Sequence, residues 1–242
     1  MAIDSGWVLS LILAAWTLVA ITGHRLPNTS SAAVTVVGVL AAIGVFASLA
    51  VHEIAHGLLA RACGVPVRRL TLFVFGSITD VEHAPASPRS ETIAALLAPL
   101  VNLLVAGALL AGAAALGARS SAIALLLSWV GAANLGIVAV NLVPAFPLDG
   151  GRLLRAAIWR VTNDLERATR WSAWAGQVIG WSIVLAGVVL AFASHGDRVA
   201  AAMWIAFVGW YITSAAAQAY AGVVMNEAGR NGRRWNQGAL ES

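Results

Sequence analysis

Charge is scarce in this 242-residue sequence: Asp, Glu, Lys and Arg make up 11% of it, against 60% hydrophobic residues. A soluble fold has too little interior to hide that much apolar side chain, so the composition excludes an ordinary globular domain, and it equally excludes disorder, coiled coil and collagen. Cysteine is almost missing. Cys63 stands alone, which excludes an intramolecular disulfide and any cysteine-built metal cluster. Lysine is absent, and all fifteen basic residues are Arg. A net charge of +4 raises nucleic acid as a partner, yet most of the Arg residues flank apolar runs, where they set membrane orientation instead. The expected partner is the lipid bilayer, with no nucleic acid.

What the sequence has is long uncharged stretches. Six of them, at residues 5–24, 26–52, 92–118, 120–148, 171–196 and 199–226, contain no Asp, Glu, Lys or Arg. Each reaches the roughly 20 residues that a helix needs to cross a bilayer. The expected fold is an all-α polytopic membrane protein of about six transmembrane helices. The first stretch is read as a retained helix rather than a signal peptide, because Met1 to Gly6 carries Asp4 and no basic residue. With the amino terminus inside and six crossings, twelve of the fifteen Arg fall on the cytoplasmic side and only Arg25, Arg119 and Arg198 outside. The positive-inside bias therefore places both termini in the cytoplasm of a multi-pass cell-membrane protein. Residues 1–225 read as one integral domain with no room for a further soluble module, and residues 226–242 as a flexible tail.

One loop is unusual. Leu70-Thr71-Leu72-Phe73-Val74-Phe75-Gly76-Ser77-Ile78-Thr79-Asp80-Val81 is rich in β-branched and aromatic residues, apolar on both alternating faces and too short to span. It reads as a small β segment associated with the membrane, with a plain surface hairpin as the alternative.

The chemistry concentrates in His52-Glu53-Ile54-Ala55-His56. On a helix, residues i and i+4 differ by about 40° around the axis and about 6 Å along it, so two imidazoles at this spacing face one point and can share a metal. Glu53, beside them, is placed to take a proton from an attacking water. An ionised group at membrane depth costs on the order of 2.5–3.5 kcal/mol, which makes such residues functional candidates; hydrogen bonding to neighbouring helices near the interface is the alternative. Two imidazoles leave a catalytic zinc one protein ligand short. His24, His83 and His195 fall in expected loops and suit that role poorly. Asp149 is the better candidate. Pro144 and Pro147 break the fourth stretch before it, and Gly150-Gly151 permit a sharp turn after it, so its carboxylate either turns inward or pairs with Arg152.

His52-Glu53-Ile54-Ala55-His56-Gly57, followed some ninety residues later by Asn141-Leu142-Val143-Pro144-Ala145-Phe146-Pro147-Leu148-Asp149-Gly150-Gly151-Arg152, resembles the site-2 protease family of intramembrane zinc metalloproteases, peptidase family M50. Leu72-Phe73-Val74-Phe75-Gly76 is similar to the family's membrane-associated strand, and Ala98-Pro99-Leu100-Val101-Asn102 to its A-G-P-x-x-N segment. The likeness covers roughly residues 35–160. It implies one zinc per chain held by His52, His56 and Asp149, with Glu53 as general base. It also implies Asn102 and Asn141 as substrate-positioning or oxyanion-stabilising residues, and a strand around Phe75 and Gly76 that accepts an unwound substrate. The sequence departs from the family at Ser77, where a second Gly is common, and at Ala98, which directly precedes Pro99 without the intervening Gly. The resemblance implies single-span membrane substrates, such as anti-sigma factors or signal peptide remnants, in a bacterial membrane, and it leaves a homo-oligomer open. The PDZ and CBS domains of many members are not expected here.

Two rival classes are a membrane metal transporter and a catalytically inactive scaffold that binds transmembrane helices. A transporter needs further ligands along a path, and the apolar stretches carry no repeated acidic or His sites. A scaffold has no need for Glu53.

Overall fold

A computed structural model describes residues 2–3, 5–62, 67–73, 76–81, 87–116, 121–193 and 197–240. It is predominantly helical, with two compact units, Met1–Asn141 and Leu142–Ser242. Both lie within what the sequence reads as one integral domain and its tail.

The first unit contains β1 (Ala2–Ile3), α1 (Ser5–Arg25), α2 (Ser31–Ala62), β2 (Val67–Phe73), β3 (Gly76–Val81), α3 (Pro88–Ala115) and α4 (Ala122–Asn141). Helix α2 starts five residues later than its uncharged stretch. Leu26 still bonds back to the Thr22 carbonyl, and the new helix begins only where the Ser30 hydroxyl accepts the Ala33 N–H at 3.3 Å. Such a cap satisfies one of the amide donors that a helix start leaves open. Helix α3 begins at a capping box: Ser87 accepts the Ser90 N–H, Ser90 accepts the Ser87 N–H, and Pro88 stands where no N–H is needed. Helix α4 stops at Asn141, because Pro144 has no N–H to offer the carbonyl four residues before it. Helix α2 packs against α1, α3 and α4, and α3 packs along α4. Strands β2 and β3 pair antiparallel from Phe73 opposite Gly76 to Val67 opposite Val81, and β1 adds in parallel beside β2. The strand order β1-β2-β3 leaves β3 at an edge.

The second unit contains α5 (Asp149–Thr162), α6 (Leu165–Ala193) and α7 (Asp197–Leu240). Asn163, in the left-handed conformation at φ 54°, closes α5, a role Asn fills with little strain. The Asp164 carboxylate then accepts the Arg167 N–H at 2.9 Å and starts α6. Helices α6 and α7 pack along each other at Gly180, Gly187 and Gly209. A Cβ on Gly187 meets the backbone of Ala202 and Ala206, and one on Gly209 meets that of Gly180 and Val184. Small residues allow this approach where lipid supplies no hydrophobic drive between helices. The backbone of α7 remains helical through residues 226–240, where the sequence reading puts a flexible tail.

Exposure is inverted relative to a soluble protein. Leu104, Trp16 and Phe192 are 74, 73 and 87% exposed, while the buried hydrophobic positions are mostly Ala, and Asn102, Asn134, Ser172 and Glu91 are buried with them. Among the described residues, four helical segments are long and apolar enough to cross a bilayer: Ser31–Leu58, α3, α4 and α6. This is the arrangement of a multi-pass membrane protein, in which apolar side chains face lipid and polar ones are paired inside.

Candidate metal centre

Helix α2 runs through the HExxH motif and one turn beyond it, to Ala62, so His52 and His56 occupy successive turns of continuous helix. Their ring centroids are 5.0 Å apart with the planes at 84°, and each ring offers a nitrogen within 4.8 Å of the other's. His52 is buried, His56 half-buried and Glu53 half-buried, whereas Val51, Ile54 and Leu58 on the remaining faces are exposed. Periodicity alone produces this division: one face of the turn is polar and covered, the other apolar and open.

Each imidazole is held from behind. The Nδ1 of His56 lies 3.1 Å from the Ala94 carbonyl of α3. A carbonyl only accepts, so Nδ1 carries a proton and donates it to this bond. Ala94 sits in the turn before Pro99, whose ring denies an N–H to the carbonyl of Ala95 and loosens the helix there. The Nδ1 of His52 lies 2.9 Å from Asn102 Oδ1, and Asn102 Nδ2 donates to Asn134 Oδ1 at 2.7 Å. Asn102 is thus engaged between helices, at the Nδ1 edge of the His52 ring. Asn134 and Ser48 belong to the same set and were missed from sequence. Their signal was available, since Ser48 stands one turn before His52 and Asn134 two turns before Asn141.

Asn141 is the last residue of α4. Its Nδ2 donates to the Ile137 carbonyl in its own helix at 3.0 Å, which is the ordinary resort of a polar side chain in an apolar span. Phe75 lies outside the described residues, and so do His83 and His195; Gly76 is the first residue of β3, and His24 is in the last turn of α1.

In the second unit, Asp149 is the first residue of α5 and is buried. A carboxylate there meets the positive end of the helix dipole. Arg152, one turn on, reaches it only at 3.5 Å. The sharp turn expected after Asp149 does not occur: Gly150 and Gly151 are helical. They are needed for close approach instead. A Cβ on Gly150 meets the carbonyl oxygens of Leu142 and Val143, and one on Gly151 meets the backbone of Ala145 and Phe146. The preceding loop therefore folds directly onto the first turn of α5, with Leu148 N–H bonded to the Ala145 carbonyl at 2.8 Å and a cis peptide between Phe146 and Pro147. Ser172 of α6 clamps the same turn by donating to the Gly151 carbonyl at 2.5 Å.

A polytopic helical membrane protein whose apolar α2 carries two imidazoles, both with Nδ1 engaged, and an adjacent carboxylate has the donor chemistry of a zinc hydrolase. Comparison with known sequences makes the assignment specific: the model of peptidase family M50 matches residues 40–118 and 112–187, more than half of the sequence, and the chain belongs to that family. It is 35% identical over 213 residues to the zinc metalloprotease named Rip3 of Mycobacterium tuberculosis, covering 86% of this chain and 53% of that protein. It is 30% identical over 192 residues to the zinc metalloprotease named sll0528 of Synechocystis, covering 78% and 48%. The chain thus spans about half the length of the curated relatives it matches. Among solved structures, the site-2 protease from Methanocaldococcus jannaschii shares the fold with a TM-score of 0.59 over 88% of each chain, at 21% identity. Zinc is the metal these relatives are named for, and a pair of imidazoles each engaged through Nδ1 suits it.

Proposed function

We propose that this chain is an intramembrane zinc metalloendopeptidase that hydrolyses peptide bonds in or near the transmembrane helices of membrane-anchored proteins. The observation that carries this reading is the pair His52 and His56, on successive turns of an apolar helix with Glu53 beside them. The family relationship supports it. His52 and His56 hold the zinc through Nε2, and Asp149, a buried carboxylate at the start of α5, is the third protein ligand. When bound, the zinc polarises the scissile carbonyl and acidifies the attacking water. Glu53 takes the proton from that water and returns it to the leaving amine, the work of a general base that becomes a general acid. The donors on His52 and His56 keep both rings from rotating as charge develops.

The chain crosses the membrane six times, with α1 and α7 joining the four helices already named, and both termini lie in the cytoplasm. The hairpin of β2 and β3 associates with the membrane, and its edge strand β3, beginning at Gly76, accepts the substrate as an added strand. A helical substrate must unwind to pair in this way, so segments weakened by Gly, Pro or Asn are cut preferentially. The substrates are single-span proteins, such as membrane-anchored regulators or signal peptide remnants, and residues 1–225 form the catalytic domain. Reconstituted protein with a single-span substrate tests the reading. Glu53→Gln is expected to abolish cleavage while one zinc per chain is retained; undiminished cleavage by that variant overturns it.

A further inference from the structure

A chain of buried polar side chains starts at His52 and runs through three helices. Asn102 on α3, Asn134 on α4 and Ser48 on α2 are 1, 0 and 7% exposed, and His52 is 3% exposed. The far end of the chain fixes its direction. Asn134 Nδ2 lies 2.8 Å from the Val130 carbonyl, which only accepts. The same nitrogen lies 2.8 Å from Ser48 Oγ, and Ser48 spends its one proton on the Gly44 carbonyl at 2.9 Å, so its oxygen also accepts. Both amide hydrogens of Asn134 are then committed, and its Oδ1 must accept from Asn102 Nδ2 at 2.7 Å. That leaves Asn102 Oδ1 facing His52 Nδ1 at 2.9 Å. Reversing Asn102 sets its oxygen against that of Asn134, and reversing Asn134 sets its oxygen against the Val130 carbonyl, in both cases at buried positions.

We propose that Asn134, acting through Asn102, is a positioning residue that holds His52 in the Nδ1–H tautomer, so that Nε2 is the nitrogen presented beside His56. The polarity is set by two main-chain carbonyls, Val130 three hydrogen bonds from the ring and Gly44 four. This rests on the reading of His52 as a zinc ligand only for its consequence; the tautomer itself is a property of the first unit alone. Asn102 is then engaged by His52 rather than by substrate.

The test uses the full chain in detergent micelles, labelled with 15N-histidine and stripped of metal, at about pH 8.5, where ordinary imidazoles are neutral. The His52 signals are assigned by their loss in His52→Gln. Wild type is expected to show a protonated Nδ1 and a bare Nε2. Asn134→Leu removes the polarity and is expected to give a mixture of tautomers, together with a 10- to 100-fold loss in zinc affinity measured against a competing chelator, a range set by the loss of other hydrogen-bonding partners of ligands. Asn134→Asp is isosteric and, buried in its protonated form, keeps an oxygen that accepts from Asn102 and a hydroxyl that donates to the Val130 carbonyl, so it is expected to retain the wild-type tautomer. A bare Nδ1 in wild type, an unchanged tautomer in Asn134→Leu, or a lost one in Asn134→Asp overturns the proposal. Should Asn134→Leu not fold, wild type and Asn134→Asp still decide. Failure of the protease reading registers separately, as absence of cleavage with the tautomer pattern intact.

Discussion

At the scale of single residues, the same side-chain type does different work according to what stands behind it. Asn102 and Asn141 are both asparagines of apolar helices, yet one bonds a histidine of another helix and the other only its own backbone. Replacement should separate them. Asn141→Leu is expected to leave the zinc affinity of the chain within a few-fold of wild type, and Asn102→Leu to lower it about 10- to 100-fold, since it strips the partner from a ring nitrogen. Chelator competition reads both. His56→Ala removes a ring rather than its support and is expected to cost more than either. The HExxH spacing made the pairing of His52 and His56 legible in the sequence, because a helix turns through slightly more than a full circle in four residues whatever surrounds it. The Ala94 carbonyl behind His56 was not legible, since a backbone acceptor carries no sequence mark.

Elements are where the glycines act. Gly150 and Gly151 looked like a turn because glycine tolerates positive φ, but the structure uses their missing side chains and not their backbone freedom. A methyl group at Gly150 meets two carbonyl oxygens that belong to main chain and cannot swing aside. Gly150→Ala is therefore expected to destabilise the second unit by about 3 kcal/mol, the upper range for overpacking, seen as a lower midpoint when mixed micelles are titrated with denaturing detergent. Gly107→Ala serves as the control, because a Cβ there meets nothing within 4 Å; it is expected to be neutral or slightly stabilising, helix propensity favouring Ala. The contrast between two glycines in helices tests close approach rather than helix formation.

For the whole molecule, the governing fact is that the apolar surface faces outward while polar side chains such as Asn102, Asn134 and Ser172 are paired inside. Glu53, His52 and His56 share one helix, and hydrogen bonds to α3, backed by Asn134 of α4, brace the histidines. Chelation is accordingly expected to abolish cleavage while leaving far-ultraviolet circular dichroism unchanged, unlike a zinc finger, whose fold depends on its ion. Orientation follows from charge. With twelve of fifteen Arg assigned to the inner side, reporter fusions at both termini are expected to read as cytoplasmic, and a reporter at Arg119 as external. An external carboxyl terminus would require an odd number of crossings and would remove the six-span arrangement.

The sequence by itself determined the solvent and the chemistry. Too few charges for a watery surface forced the chain into lipid, and the four-residue interval in HExxH put two imidazoles on one face, because both results depend on composition and local helix geometry alone. Tertiary structure decided how those imidazoles are held. What engages Nδ1 of each ring is a carbonyl in α3 and two linked amides from α3 and α4, groups brought to His56 and His52 only when helices distant in sequence pack. The use of Gly150 and Gly151 was decided at the same level, since the room available to a side chain belongs to neighbouring backbone and is written nowhere in the residue itself.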